Sequence, residues 1–132
     1  MSQENVEIVR RLHEAFLGGD YEGALASFDD EAVTDMAVRP DGQVYYGPQG
    51  MFEAMAVWIQ TWEEYRFEPE EYLDAGGDQV VLLWREYGRG KDSAAPVEIR
   101  GGTVWTVRSG KVIRVKPYTN RREALEAVGL RE

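Results

Sequence analysis

The sequence contains no cysteine and only one histidine, His13. Without cysteine the chain can form neither a disulfide bond nor a thiolate metal site, and one histidine cannot supply a multi-histidine metal site. No apolar run approaches the ~20 residues that cross a membrane, and the polar, acidic N-terminal segment lacks the apolar core of a signal peptide. We therefore expect a cytoplasmic protein with no bound metal and no membrane partner.

Basic side chains are in the minority, with 15 Lys and Arg against 24 Asp and Glu and a net charge of −9. A chain this acidic is repelled by phosphate backbones and anionic lipid surfaces, so we expect no nucleic-acid partner. The length of 132 residues fits a single domain over residues 1–132. A domain of this size buries roughly two-thirds of the surface of its unfolded chain, which is enough for a hydrophobic core.

Apolar residues recur at helical spacing in three segments of the first half of the chain. The pattern predicts one helix over residues 6–17 and a second, shorter helix over residues 21–28. A third helix begins at Pro48, a favourable first-turn residue, and its apolar stripe runs as far as Trp62. A short C-terminal helix is predicted over residues 121–128.

The remaining segments are rich in β-branched and aromatic residues and are bounded by turn residues, which is typical of strands. The predicted strands cover residues 32–38, 43–46, 65–75, 97–108 and 111–118, and a further long strand begins at Gln79. Ser109 and Gly110 form a tight turn between the last two strands. Helices in one half of the chain and consecutive strands in the other indicate an α+β fold with a curved, antiparallel or mixed sheet.

The strand that begins at Gln79 is apolar on both of its faces, and a strand of this kind is covered on both sides in a folded protein. Three helices can cover one face of the sheet. The other face would then be bare, and the apolar residues assigned to it are Val81, Leu83, Val104 and Val112. Because a bare apolar area of that size is unusual in water, we predict a homodimer through this sheet face.

Several segments along the chain have a familiar pattern. They are Gly19-Asp20 at a helix end, Asp29-Asp-Glu-Ala-Val33, Tyr46-Gly-Pro-Gln-Gly50 at a helix start, residues 104–114, Tyr118 and residues 122–130. Together they resemble the SnoaL-like and ketosteroid-isomerase-like families, which share the nuclear transport factor 2-like fold. The resemblance covers nearly the whole chain and implies a cone of curved sheet closed by three helices of the N-terminal half, with a short C-terminal helix and a deep pocket in the mouth of the cone.

This fold hosts isomerases, polyketide cyclases, epoxide hydrolases, dehydratases and non-catalytic domains, so the resemblance alone does not fix an activity. In ketosteroid isomerases a carboxylate base stands at the end of the first strand, and the comparison puts Met36 at that position. Asp35 is one residue away, which on a strand is the opposite face unless a bulge re-aims it. The same comparison puts Thr103 near the oxyanion-stabilising acid and Leu12 near the tyrosine donor. We therefore reject the isomerase mechanism as it stands.

Two residues are candidates for acid–base catalysis. His13 lies in an otherwise apolar helical stripe and would face inward, either as a proton donor and acceptor for a ligand or as a buried structural histidine. Glu86 shares a strand face with Leu82 and Trp84. On the concave face it would be a carboxylate in an apolar cavity and a candidate acid or base, whereas on the dimer face it would pair with an arginine.

The four tryptophans offer flat apolar walls, either for a planar or polycyclic ligand or simply for the core. The predicted pocket residues are Met36, Met55, Trp58, Trp62, Trp84, Thr103, Trp105 and Tyr118. The first functional hypothesis is an acid–base enzyme of isomerase, cyclase or hydrolase type, without metal or organic cofactor, that acts on a hydrophobic small molecule. The alternative is a non-catalytic ligand-binding or dimerisation module of the same shape.

Overall fold

The computed structural model describes residues 2–39, 42–91 and 95–130. These residues form four helices and six strands. In chain order they are α1 (Ser2–Leu17), α2 (Tyr21–Leu25), β1 (Phe28–Asp35), β2 (Val44–Tyr46), α3 (Gly47–Gln60), β3 (Trp62–Asp74), β4 (Gln79–Gly90), β5 (Pro96–Arg108), β6 (Lys111–Tyr118) and α4 (Arg121–Ala127). No helix in these residues is long and apolar enough to cross a membrane.

The six strands form one curved, unclosed sheet in the order β2-β1-β6-β5-β4-β3. β1 and β6 are parallel, and the other neighbouring pairs are antiparallel. Residues of α1 and α3 pack on one face of the sheet, which we call the inner face, and residues of α4 pack on the opposite, outer face. The predicted α+β fold, with a mixed sheet curved into a cone, is confirmed.

The turn between β5 and β6 is also as the sequence predicted. Arg108 pairs with Lys111, so the loop between the strands has two residues. Ser109 and Gly110 have φ values of 52° and 80°. Positive φ at both central positions is the feature of the type I′ turn, whose twist matches that of the strands it joins.

The predicted boundary between the second helix and the first strand was wrong. α2 ends at Leu25, and β1 begins at Phe28 rather than at residue 32. The reason is tertiary, because the Val112 amide donates to the carbonyl oxygen of Ser27, and Phe28 pairs with Val112 in the parallel β1–β6 ladder. Local helical spacing cannot reveal a partner more than eighty residues away in the chain.

The third helix is shorter than its apolar stripe suggested. α3 ends at Gln60, so Trp62 is the first residue of β3 and pairs with Gly90 of β4. Gly88 makes room for the Trp62 ring, since a Cβ at position 88 would lie 2.9 Å from Trp62 Cε3. β3 also contains a register shift next to Pro69 and remains one continuous strand.

The outer face is not bare within one chain, which corrects the premise of the predicted homodimer. Val81, Leu83 and Val104 are buried there against Ala124 and Leu125 of α4. The helix comes very close to the sheet because Gly102 has no side chain. A Cβ at position 102 would lie 2.8 Å from the Cβ of Ala124.

Val112, also assigned to the bare face, lies instead on the inner face with Phe28 and Val107. The β5–β6 ladder contains a register shift between Thr106, which pairs with Arg114, and Val107, which pairs with Val112. The alternation of faces along β6 is therefore interrupted between Val112 and Arg114.

Candidate functional site

A cavity lies between the inner face of the sheet and helices α1 and α3, and we call it the main cavity. Its volume is about 170 Å³. Most of its wall is apolar, and this part includes Phe16, Met51, Met55, Phe67, Leu82 and Val115. Leu17, Tyr21 and Ile59 also line it and are 53%, 43% and 41% exposed, so they mark the side on which the cavity opens to solvent.

Glu86 of β4 is the centre of a buried polar cluster beside this cavity. The residue is only 3% exposed. Its Oε1 accepts a hydrogen bond from Arg39 Nη1 at 3.0 Å, and its Oε2 accepts one from Trp58 Nε1 at 2.7 Å and another from the Tyr65 hydroxyl. An ionised carboxylate is an acceptor only, so three donors from different parts of the chain compensate its burial.

Arg39 holds this cluster from the side of the β1–β2 connection. Its amide donates to the carbonyl oxygen of Met36, and its own carbonyl accepts from the Gly42 amide, so the backbone turns just after β1. The guanidinium lies 4.0 Å from the centre of the Trp58 ring and 5.3 Å from that of Trp84. Stacking on indole faces favours a planar cation in a site that contains little water.

Tyr65 of β3 completes the cluster and lines the main cavity. Burial raises the pKa of its hydroxyl far above the usual range, and the neighbouring Glu86 carboxylate raises it further. The phenol therefore stays protonated and acts as a donor to Glu86. Arg39 and Tyr65 were both missed from the sequence, where one appears in a turn and the other in an ordinary alternating strand.

His13 reaches the main cavity from α1. Its ring centre lies 4.8 Å from that of Phe67 and 6.3 Å from that of Trp105. Burial lowers the pKa of His13 from 6.5 to about 4, so the imidazole is neutral at pH 7. Its Nδ1 is buried and has no hydrogen-bond partner in the described part of the chain.

Two more hydrogen-bonding groups meet the cavity wall from β5. Thr103 Oγ1 accepts a hydrogen bond of 2.8 Å from Trp84 Nε1, which leaves the hydroxyl proton of Thr103 available as a donor. Trp105 is 3% exposed, and its Nε1 has no acceptor among residues 2–39, 42–91 and 95–130. Buried indole N–H groups are usually paired, so this donor is unusual.

The cavity wall includes seven of the ten residues proposed from the sequence. They are His13, Met36, Met55, Trp58, Glu86, Thr103 and Trp105. Trp84 is fully buried behind the wall. Tyr118 lies on the outer face with α4, because it pairs with Gly102, whereas its neighbour Pro117 pairs with Thr103 and lines the cavity. Trp62 is also absent from the wall.

Of the three residues compared with the isomerase positions, two line the main cavity. Met36 and Thr103 line the cavity, and Leu12 is buried in the core. The Asp35 carboxylate lies 3.4 Å from the Arg114 guanidinium and 3.9 Å from the Lys116 ammonium, and it is not part of the cavity wall. Asp35 is therefore paired with basic side chains and does not face the main cavity.

A second cavity of about 250 Å³ adjoins the first. The two share Met36, Arg39 and Trp58, so these side chains form the partition between them. Trp62, which was expected in the main pocket, lines this second cavity together with Tyr45. Within the described residues, no group of three or more His, Asp or Glu side chains is arranged to hold a metal ion.

Comparison with protein families gives a match to the SnoaL-like domain over residues 9–115. The chain belongs to the SnoaL-like family. No curated protein shows a significant match to this SnoaL-like sequence. Solved structures with similar folds are numerous, and they include proteins of the nuclear transport factor 2-like, ketosteroid isomerase-like and SnoaL-like polyketide cyclase types.

Three of these structures illustrate the likeness. A nuclear transport factor 2-like protein from Burkholderia xenovorans LB400 is 25% identical with a TM-score of 0.76, over 89% of this chain and 90% of that one. TerC, co-crystallised with polyporic acid, is 22% identical with a TM-score of 0.72, over 87% and 90%. A ketosteroid isomerase-like protein from Catenulispora acidiphila DSM 44928, in complex with trimethylamine, is 18% identical with a TM-score of 0.71, over 94% and 93%.

Proposed function

We propose that this SnoaL-like protein binds a planar, hydrophobic small molecule in the main cavity and acts on it by proton transfer, without a metal or an organic cofactor. The observation that carries the proposal is that His13 Nδ1 and Trp105 Nε1 are both buried at the wall of one apolar cavity and have no hydrogen-bond partner among the described residues. Buried polar groups are almost always hydrogen-bonded, so a polar group of a bound ligand is a suitable partner for each.

The neutral His13 imidazole is the group best suited to accept a proton. In a reaction next to a carbonyl group, it would take a proton from the adjacent carbon, and the electrons of the broken C–H bond would form an enolate. The Trp105 N–H and the Thr103 hydroxyl could donate hydrogen bonds to the enolate oxygen as it gains negative charge. Returning the proton from the imidazolium to the same carbon gives exchange. If the carbonyl compound has a β,γ double bond, the enolate is a dienolate, and returning the proton to its γ-carbon shifts the double bond, which is isomerisation.

Glu86 fits a supporting position better than the catalytic one expected from the sequence. Both of its oxygens already accept hydrogen bonds, from Arg39 on one side and from Trp58 and Tyr65 on the other. A carboxylate engaged in this way serves as the common acceptor that holds its three donors in place. Its role would be to fix the indole of Trp58 as one wall of the cavity.

The character of the wall supports an aromatic ligand. Trp58, Phe67 and Trp105 provide flat faces, and methionines at positions 36, 51 and 55 can adapt to the outline of the bound molecule. The co-crystallisation of TerC with polyporic acid and the trimethylamine complex of the Catenulispora protein support small-molecule binding by this fold.

The bicyclic ketone 2-tetralone tests the proposal, because its acidic C1 protons report proton transfer directly. In D₂O, proton NMR should show faster deuterium incorporation at C1 with the wild-type protein than with buffer alone. His13→Gln should reduce that exchange to the buffer rate while calorimetry still detects binding. Glu126→Gln, an exposed change on α4, is the matched control and should exchange like the wild type. Equal exchange by wild type and His13→Gln would contradict the role of His13.

A non-catalytic ligand-binding protein is the second candidate. It is favoured by the engagement of Glu86, which leaves His13 as the one cavity-lining side chain in the described residues that is suited to proton transfer. The same experiment separates the two functions. Binding of 2-tetralone with no protein-dependent exchange would favour a ligand-binding module, whereas exchange that depends on His13 would favour the enzyme.

A homodimer through the outer face of the sheet also remains a proposal. The part of this face that α4 leaves accessible includes the charged region around Arg85, Glu98 and Arg100. Contact between two copies would therefore be made through ion pairs and hydrogen bonds more than through valines. Analytical ultracentrifugation that finds only monomer at micromolar concentration would remove this proposal.

A further inference from the structure

We infer that the main cavity selects uncharged aromatic molecules that carry a hydrogen-bond-accepting oxygen, and that it discriminates against anions of the same shape. The inference deepens the proposed function and rests on it. Its basis is that the cationic side chain at the wall, Arg39, is already neutralised by the carboxylate beside it, Glu86.

The Arg39–Glu86 pair leaves no free charge for a ligand. The nitrogen–oxygen distance is 3.0 Å, and the two side chains are 6% and 4% exposed. Apart from this pair, no side chain that is charged at neutral pH lines the cavity in the described residues. Arg39 Nε is buried and has no hydrogen-bond acceptor in the described residues. An anion bound there would share the guanidinium with Glu86 and bring a second negative charge to a pair that is already neutral, which is very unfavourable in a buried site.

Among the described residues, the cavity wall also offers a cationic ligand no free carboxylate and no free face of Trp58. Both oxygens of Glu86 are occupied by donors, and the face of the Trp58 ring is covered by the Arg39 guanidinium at 4.0 Å. A second cation next to Arg39 would also be repelled by it. The two features that usually attract cations, a carboxylate and an indole face, are thus satisfied within the protein.

Neutral groups remain available to a ligand. The Trp105 N–H is buried and unpartnered among the described residues. Thr103 has used its oxygen as the acceptor for Trp84 and retains its proton as a donor. Both groups suit the lone pairs of a carbonyl, ether or hydroxyl oxygen. His13 is neutral at pH 7, because burial lowers its pKa to about 4, and its imidazole can accept or donate one hydrogen bond without adding charge.

Three naphthalene probes of nearly equal shape test the inference by titration calorimetry at pH 7. They are 2-naphthol, which is neutral, 2-naphthoate, which is anionic, and 2-naphthylmethylammonium, which is cationic. We expect 2-naphthol to bind at least about tenfold more tightly than either ion. Equal or tighter binding of 2-naphthoate would overturn the inference and leave the proposed function standing. Failure of all three probes and of 2-tetralone to bind would overturn both.

Glu86→Gln sharpens the test, since it keeps the size of the side chain and removes its charge. Arg39 is then no longer neutralised, and the affinity ratio of 2-naphthoate to 2-naphthol should rise by about tenfold or more. Glu98→Gln, which removes a carboxylate from the outer face, is the control and should leave the ratio unchanged. An unchanged ratio in folded Glu86→Gln would contradict the inference. If that variant does not fold, the affinity ratio of 2-naphthoate to 2-naphthol measured for the wild-type protein still tests whether the cavity discriminates against anions.

Discussion

Adjacent residues of β4 lie in different environments, because one points to the inner face of the sheet and the next points to the outer face. Glu86 points inward and is buried in a four-residue cluster with Arg39, Trp58 and Tyr65. Arg85 points outward, 3.5 Å from Glu70 and 3.2 Å from Glu98, where all three side chains are partly exposed. Both sites bring an arginine within 3.0–3.5 Å of a glutamate oxygen, and they differ in how far the side chains are exposed to solvent.

That difference determines what each pair can do. On the outer face, water screens the charges and can replace any lost partner, so these pairs contribute little to folding. On the inner face, water cannot compensate a lost partner, and the pair has to be complete. Burial thus turns an ordinary ion pair into a rigid polar element at the wall of a cavity. The predictions below test this contrast between the faces.

The largest effect is expected on breaking the inner pair. Glu86→Ala leaves the Arg39 charge buried and removes the acceptor of the Trp58 and Tyr65 donors. We expect the free energy of unfolding, measured with urea, to fall by about 3–5 kcal/mol. Glu98→Ala on the outer face is the matched control and should be close to the wild type. Similar losses for both variants would show that the two faces do not differ as described.

The next largest loss of stability is expected when the packing of α4 on the outer face is weakened. Leu125 of α4 is 4% exposed and packs against the valines of that face. Leu125→Ala keeps the helix propensity and removes the packing, so we expect a loss of about 2–5 kcal/mol in urea unfolding. Leu17→Ala, at the exposed mouth of the main cavity, is the control and should lose much less. A loss below about 0.5 kcal/mol for Leu125→Ala would mean that α4 is not the cover of this face.

A smaller effect, on the pH dependence of the free energy of unfolding, is expected from the burial of His13. Its pKa is about 4 in the folded protein against 6.5 for an unperturbed histidine, so between these values the unfolded chain binds the extra proton. The contribution of neutral His13 to the free energy of unfolding is fully present above pH 6.5 and is lost as the pH falls towards 4. From pH 7.5 to pH 5 we expect the wild type to lose about 2 kcal/mol more than His13→Gln, measured by urea unfolding. Parallel pH profiles for the two proteins would contradict the burial of His13.

The fold was largely predictable from the sequence because its signals are local. Apolar spacing located the helices, and the two-residue Ser109–Gly110 turn fixed the last hairpin. Errors arose where a distant partner decides the structure. Phe28 becomes part of a strand because β6 lies beside it, and Trp62 leaves the helix to pair with Gly90.

The site was predictable only in part, for the same reason. Inward-facing positions on α1 and β4 follow from periodicity, which is how His13 and Glu86 were found, whereas Thr103 came from the resemblance to the isomerases. Arg39 is separated from Glu86 by 47 residues and Tyr65 by 21, and nothing in their local sequence marks either as its partner. A buried glutamate implies a cation and donors nearby, but the sequence does not say which of its 15 basic residues supplies the charge.

The central claim is that the main cavity is a ligand site with Trp58 and Trp105 in its wall. The chain has four tryptophans, so their indole N–H signals can be followed one by one in proton–nitrogen NMR spectra during titration with 2-naphthol. We expect the largest shifts for Trp105, whose N–H gains an acceptor, and for Trp58, with little change for Trp62. If binding leaves the Trp105 signal unmoved, or if Trp62 alone responds, the ligand site lies elsewhere and the account is wrong.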